Sequence, residues 1–171
     1  MRTSLKEEEM AAHHKQSFEP FSEPDSTVLI LGSLPGDKSL ALSQYYGHPQ
    51  NRFWKVIASI TGKELPSDYA DKKQLLRNNK IAIWDVAHSA HRKGSLDSAI
   101  ENVLPNDLNT FIAQHKKLKT IAFNGLKAKA LYDKYFERDK TISYLQLPST
   151  SPANAGINFE AICAAWKQIL E

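Results

Sequence analysis

Four short apolar runs punctuate the chain: Val28–Leu31 (VLIL), Ile81–Trp84 (IAIW), Thr120–Phe123 (TIAF) and Ile142–Leu147 (ISYLQL). Such runs suit short strands buried on both faces of a sheet. Between them the apolar spacing changes to that of helices. Asn51–Thr61 places Phe53, Val56, Ile57 and Ile60 on one face, and Pro49 suits its start. Tyr69–Asn79 reads as a weaker, polar helix. Asn106 or Asp107 can cap a helix carrying Leu108, Phe111 and Ile112. Gly125–Phe136 gathers Leu126, Ala130, Leu131 and Tyr135, and Ile157–Leu170 presents Phe159, Ile162, Cys163, Trp166 and Leu170. Strands alternating with helices predict an α/β fold, a three-layer α/β/α sandwich around a mostly parallel sheet. Residues 1–25 are polar and broken by Pro20 and Pro24, so they read as a mobile tail or short helix ahead of a single domain at 26–171.

Composition narrows the class. A length of 171 residues fits one domain and leaves no room for two sizeable cores. The single cysteine, Cys163, excludes an intramolecular disulfide, a Cys-ligated iron–sulfur cluster and a Cys-rich zinc site. No run of about twenty apolar residues suggests a membrane span. The N-terminus carries Glu7–Glu9 and no apolar signal core. The expectation is a soluble cytoplasmic protein. The net charge of +3 is unevenly spread. Residues 1–25 hold three basic against six acidic residues, which leaves 19 basic and 13 acidic residues, a net +6, on the remainder. A basic body suits an anionic partner such as nucleic acid, although the charge alone fits a solvated surface equally well.

In open parallel sheets, ligands bind beyond the carboxyl ends of the strands. Here those ends carry GSLPGDKS, WDVAHSAHRKGS, FNGLKA and LPSTSPAN. GSLPG (Gly32–Gly36) lacks the Gly-Lys-Ser/Thr of a phosphate loop and is not G-x-G-x-x-G, so by itself it reads as a strand-to-helix turn. YYGHPQNRFW (Tyr45–Trp54) is more specific. It sets Asn51 in the first turn of a helix, near the positive end, with Phe53 and Trp54 suited to the core and His48 to a cap. LPSTSPAN (Leu147–Asn154) is a stiff, hydroxyl-rich loop that suits either phosphate contacts or a capped structural role. His13, His14, His88 and His91 do not complete a metal site, Cys163 falls on an apolar helix face, and no G-x-S-x-G elbow is present.

Together GSLPG, YYGHPQNRFW, WDVAHSAHRKGSLDSAI, PNDL, FNGLKA and LPSTSPAN resemble the uracil-DNA glycosylase superfamily over roughly residues 20–171. They are most similar to its hypoxanthine-DNA glycosylase branch. HPQNRFWKVI alone is similar to the mismatch-specific uracil/thymine glycosylases, while the WDV segment and LPSTSPAN favour the hypoxanthine branch. The resemblance implies a four-stranded parallel sheet with a DNA groove across the strand ends. It implies a monomeric, monofunctional glycosylase that acts on DNA holding a deaminated base, without metal, cofactor or membrane. Two positions that are usually polar in the superfamily, one in the first loop and one opening the last, are Leu34 and Leu147 here. That argues against ordinary uracil excision, and it keeps open a non-catalytic nucleic-acid-binding module on the same fold. The resemblance assigns catalysis to Asn51 and stacking on the flipped base to Tyr46. It places the pocket backbone at Gly32 and Ser33, and base reading at Trp84 and Asp85. DNA contacts are expected from the loop holding Ser149, Thr150, Ser151 and Asn154, and from Arg52 and Arg92 in the strand-end motifs.

Overall fold

Every residue of the first apolar run is buried, because its strand lies inside a parallel sheet covered on both faces. The computed structural model describes residues 2–171. The chain runs α1 (Arg2–Ala12), β1 (His14–Gln16), β2 (Val28–Gly32), α2 (Asp37–Leu42), α3 (Phe53–Ile60), α4 (Tyr69–Asn78), β3 (Ile81–Asp85), β4 (Ala87–His91), β5 (Glu101–Pro105), α5 (Leu108–Gln114), β6 (Thr120–Asn124), α6 (Leu126–Tyr135), β7 (Ser143–Leu147) and α7 (Phe159–Trp166). Four of these strands make the parallel sheet, in the order β3-β2-β6-β7. Successive side chains of a strand point to opposite faces. Thus Val28 and Ile30 pack with Phe53, Ile57, Ile162 and Trp166 from α3 and α7, whereas Leu29 and Leu31 pack with Leu108, Phe111, Leu131 and Tyr132 from α5 and α6. The result is the three-layer α/β/α sandwich. Among the described residues, no helix is long and apolar enough to cross a membrane.

Three features differ from the expectation. Residues 14–25 are part of the body rather than a tail. Strand β1 pairs antiparallel with β4, Ser17 N–H donates to His88 O (2.8 Å), and Phe21 exchanges backbone bonds with Ile83 (3.0 and 2.9 Å). A second, antiparallel sheet, β1-β4-β5, therefore leans on the end of the first. Its sequence, AHSAH and ENVLP, lacks the apolar run that marks a core strand. The third difference is the start of α3 at Phe53, two residues later than expected, which leaves Asn51 outside the helix.

Candidate active site

From β2 the sheet grows in both directions, to β3 on one side and to β6 on the other. Where the connections diverge, the strand ends leave a crevice. It holds a cavity of about 440 Å³ lined by the Gly32–Ser39 loop, Tyr45, Tyr46, Asn51, Asp85, Arg92, Asn124 and Ser149–Ala153, among others.

The floor is set by strand register. Gly32 and Asp85 are neighbours on β2 and β3. A Cβ on Gly32 would stand 2.6 Å from Asp85 Oδ1 and 3.3 Å from the Tyr46 hydroxyl, so glycine is what lets both groups close over the backbone. Asp85 is 4% exposed. Among the described residues its buried Oδ2 has no hydrogen-bond partner, and the buried Tyr46 hydroxyl lies beside the Asn124 side chain. Burial pushes the Asp85 carboxyl up to about 7; the Arg92 guanidinium opposes this and the Asp97 carboxylate adds to it. Burial, then the Asp85 charge, raises the Tyr46 phenol, which stays protonated. Behind the floor, Asn106 Nδ2 donates to Asp85 O (2.7 Å) and Ala87 O (3.2 Å), which fixes the strand carrying the carboxyl.

Tyr46 takes a left-handed backbone (φ 53°), a conformation that costs a side-chain-bearing residue roughly 1–2 kcal/mol. Its ring stacks on Phe53 at 4.0 Å and 23°, which offsets part of that cost. Asn51 stands beside it. Its Oδ1 accepts from Phe53 N–H (2.9 Å), so the carboxamide caps the approach to α3, and its Nδ2 has no partner among the described residues. His48 Nδ1 accepts from Gln50 N–H (3.0 Å) within the same turn.

The wall formed by LPSTSPAN is held from two sides. Asn124 and Thr150 exchange reciprocal bonds of 3.0 Å, and Arg52 donates to Ile157 O (2.7 Å) and Asn154 O (3.0 Å). The hydroxyls of Ser149 and Ser151 accept from the N–H groups of Ser151 and Ala153, and each keeps its own O–H as a donor. Opposite them, Ser33 donates to Asp97 (2.6 Å), and buried Arg92 donates to Pro35 O and Gly94 O.

Residues 19–170 match the family described as the uracil DNA glycosylase superfamily. The chain belongs to this superfamily. It is 41% identical over 115 residues to a hypoxanthine DNA glycosylase of Methanosarcina barkeri, covering 67% of this chain and 73% of that protein. It is 38% identical over 141 residues to a hypoxanthine DNA glycosylase of Methanosarcina acetivorans, covering 82% and 88%. It also superposes with a TM-score of 0.76 and 32% identity on the solution NMR structure of a candidate uracil DNA glycosylase from Methanosarcina acetivorans, covering 92% of this chain and 99% of that one.

The cavity brings Gly32, Ser33, Tyr46, Asn51, Asp85, Ser149 and Ser151 together. Other expected residues are placed differently. The Trp84 indole donates to Phe18 O (3.0 Å) and lies against Phe111, on the opposite face of β3 from the cavity floor, because neighbouring residues of a strand alternate. Thr150 is fully buried against Asn124 and cannot meet DNA through its hydroxyl. Arg52 and Arg92 commit their guanidiniums to main-chain carbonyls, so neither is a free phosphate clamp. Asn154 donates to Ser149 O and faces an adjoining groove lined also by Leu96 and Leu126. The sequence offers Asn106 as a helix cap, a role that Asp107 takes by accepting from Thr110 N–H, and it passes over Asn124 and Asp97. Asn124 had a visible signal: it follows TIAF as Asp85 follows IAIW, a polar residue placed where an apolar strand ends.

Proposed function

We propose that this protein removes hypoxanthine from DNA by hydrolysing the N-glycosidic bond of deoxyinosine. The carrying observation is Asn51 at the strand-end cavity, while the two other positions that are usually polar in the superfamily are leucine, Leu34 in the cavity wall and Leu147 in the core beside it. Leu34 is buried against Ala87, Ala90 and Ile100, and Leu147 lies in the main core, so neither position offers a group that could activate water. The similarity to two hypoxanthine DNA glycosylases supports the same substrate.

The target nucleotide leaves the helical stack and enters the crevice base first. Tyr46, backed by Phe53, stacks on it, a contact worth about 1–3 kcal/mol in single-strand complexes. The C1′–N9 bond then breaks with its electron pair going to the base. Water adds to C1′, and its proton passes to the base or to solvent. A carboxamide at neutral pH takes no proton, so Asn51 acts by holding water or the base through its Nδ2. Ser149 and Ser151 offer O–H donors to the flanking phosphates. The chain acts as a monomer, in the compartment that holds the cell's DNA.

The test is a panel of oligonucleotides carrying deoxyinosine, deoxyxanthosine, deoxyuridine or mismatched thymidine, followed by alkali. Strand cleavage strongest at deoxyinosine and weak at deoxyuridine is expected. Preferred cleavage at uracil or thymine would transfer the chain to the mismatch uracil/thymine class, and binding without cleavage would make it a non-catalytic module.

A further inference from the structure

We infer that Asp85 recognises the flipped base as a neutral carboxylic acid, its O–H donating to the C6 carbonyl and its C=O accepting from the N1–H. This rests on the hypoxanthine reading above. A nucleotide entering base first leaves its sugar near the mouth, where half-buried Asn51 and the Ser149–Ser151 rim lie. The edge farthest from the glycosidic bond meets the floor. In a purine that edge is N1–C6, and at the floor stands the carboxyl of Asp85, with no hydrogen bond to its Oδ2 among the described residues.

The surroundings decide its charge. Arg92, just past β4, faces it but gives its N–H groups to Pro35 O and Gly94 O and approaches Asp97 at 4.0 Å, so among the described residues Asp85 has no ion pair. Asp97, on the turn after β4, is a second carboxylate that opposes ionisation. Tyr45 and Tyr46, from the segment after α2, are phenols that stay protonated. A buried carboxylate with neither donor nor cation is costly, and a neutral carboxyl relieves that cost. Burial moves its titration to about 7, within the range where the enzyme would work. The chemistry agrees. A carboxylate offers acceptors alone, repels the C6 carbonyl and opposes the negative charge that builds on the departing base. The acid offers a donor and an acceptor side by side, and its donor bond strengthens as that charge develops.

Single-turnover excision of hypoxanthine between pH 5.5 and 9 tests this with wild type, Asp85→Asn and Asp85→Ala, alongside a ¹³C NMR titration of the Asp85 carboxyl in the free wild-type chain. The wild-type rate should fall about tenfold per pH unit above 7. Asp85→Asn keeps a donor and an acceptor but no titrating proton, so it should lose that alkaline limb and exceed wild type at pH 9. Asp85→Ala should lose about 10²-fold at pH 6. A wild-type rate that is flat or rising through pH 7, or an alkaline limb that persists in Asp85→Asn, would overturn the inference while leaving hypoxanthine excision standing. A carboxyl that titrates near 4 by NMR would overturn it whatever the activities. Wild type inactive on hypoxanthine at every pH would instead sink the functional reading, and this inference with it.

Discussion

Gly32→Ala puts a methyl group where the floor of the cavity closes. Gly32 lies in extended strand backbone, so alanine meets no conformational penalty and the effect is steric. The new Cβ would sit 2.6 Å from Asp85 Oδ1, against an ordinary contact of 3.4 Å or more, so about 0.8 Å must be found. The carboxyl has little freedom to provide it, because Asp85 is in register with Gly32 and its carbonyl is bound by Asn106. Overpacking of this kind costs about 1–3 kcal/mol. At about 2–4 °C per kcal/mol for a chain of this size, Tm should fall by roughly 2–12 °C. Misplacing a positioning group by about 1 Å costs on the order of 10² in rate. Single-turnover hypoxanthine excision with enzyme in excess, beside a thermal melt, reads both effects. Gly36→Ala is the control: its Cβ meets Ser95 Oγ at an ordinary 3.4 Å, and both readings should stay near wild type. If Gly32→Ala excises within threefold of wild type at an unchanged Tm, the Gly32–Asp85 contact does not define the base site.

Asn51→Ala should lower excision by about 10²-fold and stability by about 1 kcal/mol, whereas Asn51→Asp keeps the acceptor for Phe53 N–H and should lose activity alone; equal activity in wild type and both variants would reduce Asn51 to a cap. The Asp85 carboxyl titrates higher in the folded chain than its ordinary 3.8, so the native state holds a proton that the unfolded state has already released, and stability should decline as pH rises from about 4 to 7. Melts of Asp85→Asn against wild type should therefore show the variant gaining across that window, and parallel curves would refute it. Arg92→Ala should leave the salt dependence of DNA affinity unchanged while lowering Tm on the order of 10 °C, because its charge serves buried carbonyls rather than phosphates; a flatter salt slope would restore it as a DNA contact. Deleting residues 1–16 removes β1 and bares the edge of β4, so stability should drop by about 2 kcal/mol, from a few backbone bonds at about 0.5–1.5 kcal/mol each; unchanged amide exchange at Ala90 would show that β1 contributes nothing.

The parallel sheet was legible because burial on both faces leaves an uninterrupted apolar run, and each of the four runs became a strand within a residue or two. The antiparallel sheet was not. Ala87–His91 is built of small and polar residues, and its partners are β1, 73 to 77 residues away near the N-terminus, and β5 at Glu101–Pro105, pairings that no local pattern encodes. The same limit explains the arginines. Arg52 and Arg92 sit in strand-end motifs, where a cation suggests phosphate, but they meet carbonyls from segments remote in sequence, 102–105 residues away for Arg52 and 57 for the Pro35 partner of Arg92. Residue type reports charge, and the fold decides what that charge meets. Asn51 shows a finer version, because the spacing found the right turn but the helix starts at Phe53, whose N–H donates to Asn51 Oδ1.

The two leucines explain why polar chemistry gathers on β3 and the α3 approach. Leu34 lines the cavity and also belongs to the small cluster with Ala87, Ala90 and Ile100 that joins the two sheets. Leu147 ends β7 at 1% exposure in the main core. A carboxylate or histidine at either site would be buried against these apolar side chains, at a cost of several kcal/mol where it finds no hydrogen bond. The polar groups that survive around the cavity are those whose burial is supported by the frame: Asn51 through Phe53 N–H, Asn124 through Thr150, and Ser33 through Asp97. Asp85 breaks that rule, since its Oδ2 is buried with no partner among the described residues. Unmet hydrogen-bonding capacity at the floor of a cavity is stable only as part of something larger, and a purine base, with donors and acceptors on one edge and a flat face for Tyr46, is of the shape and polarity to complete it.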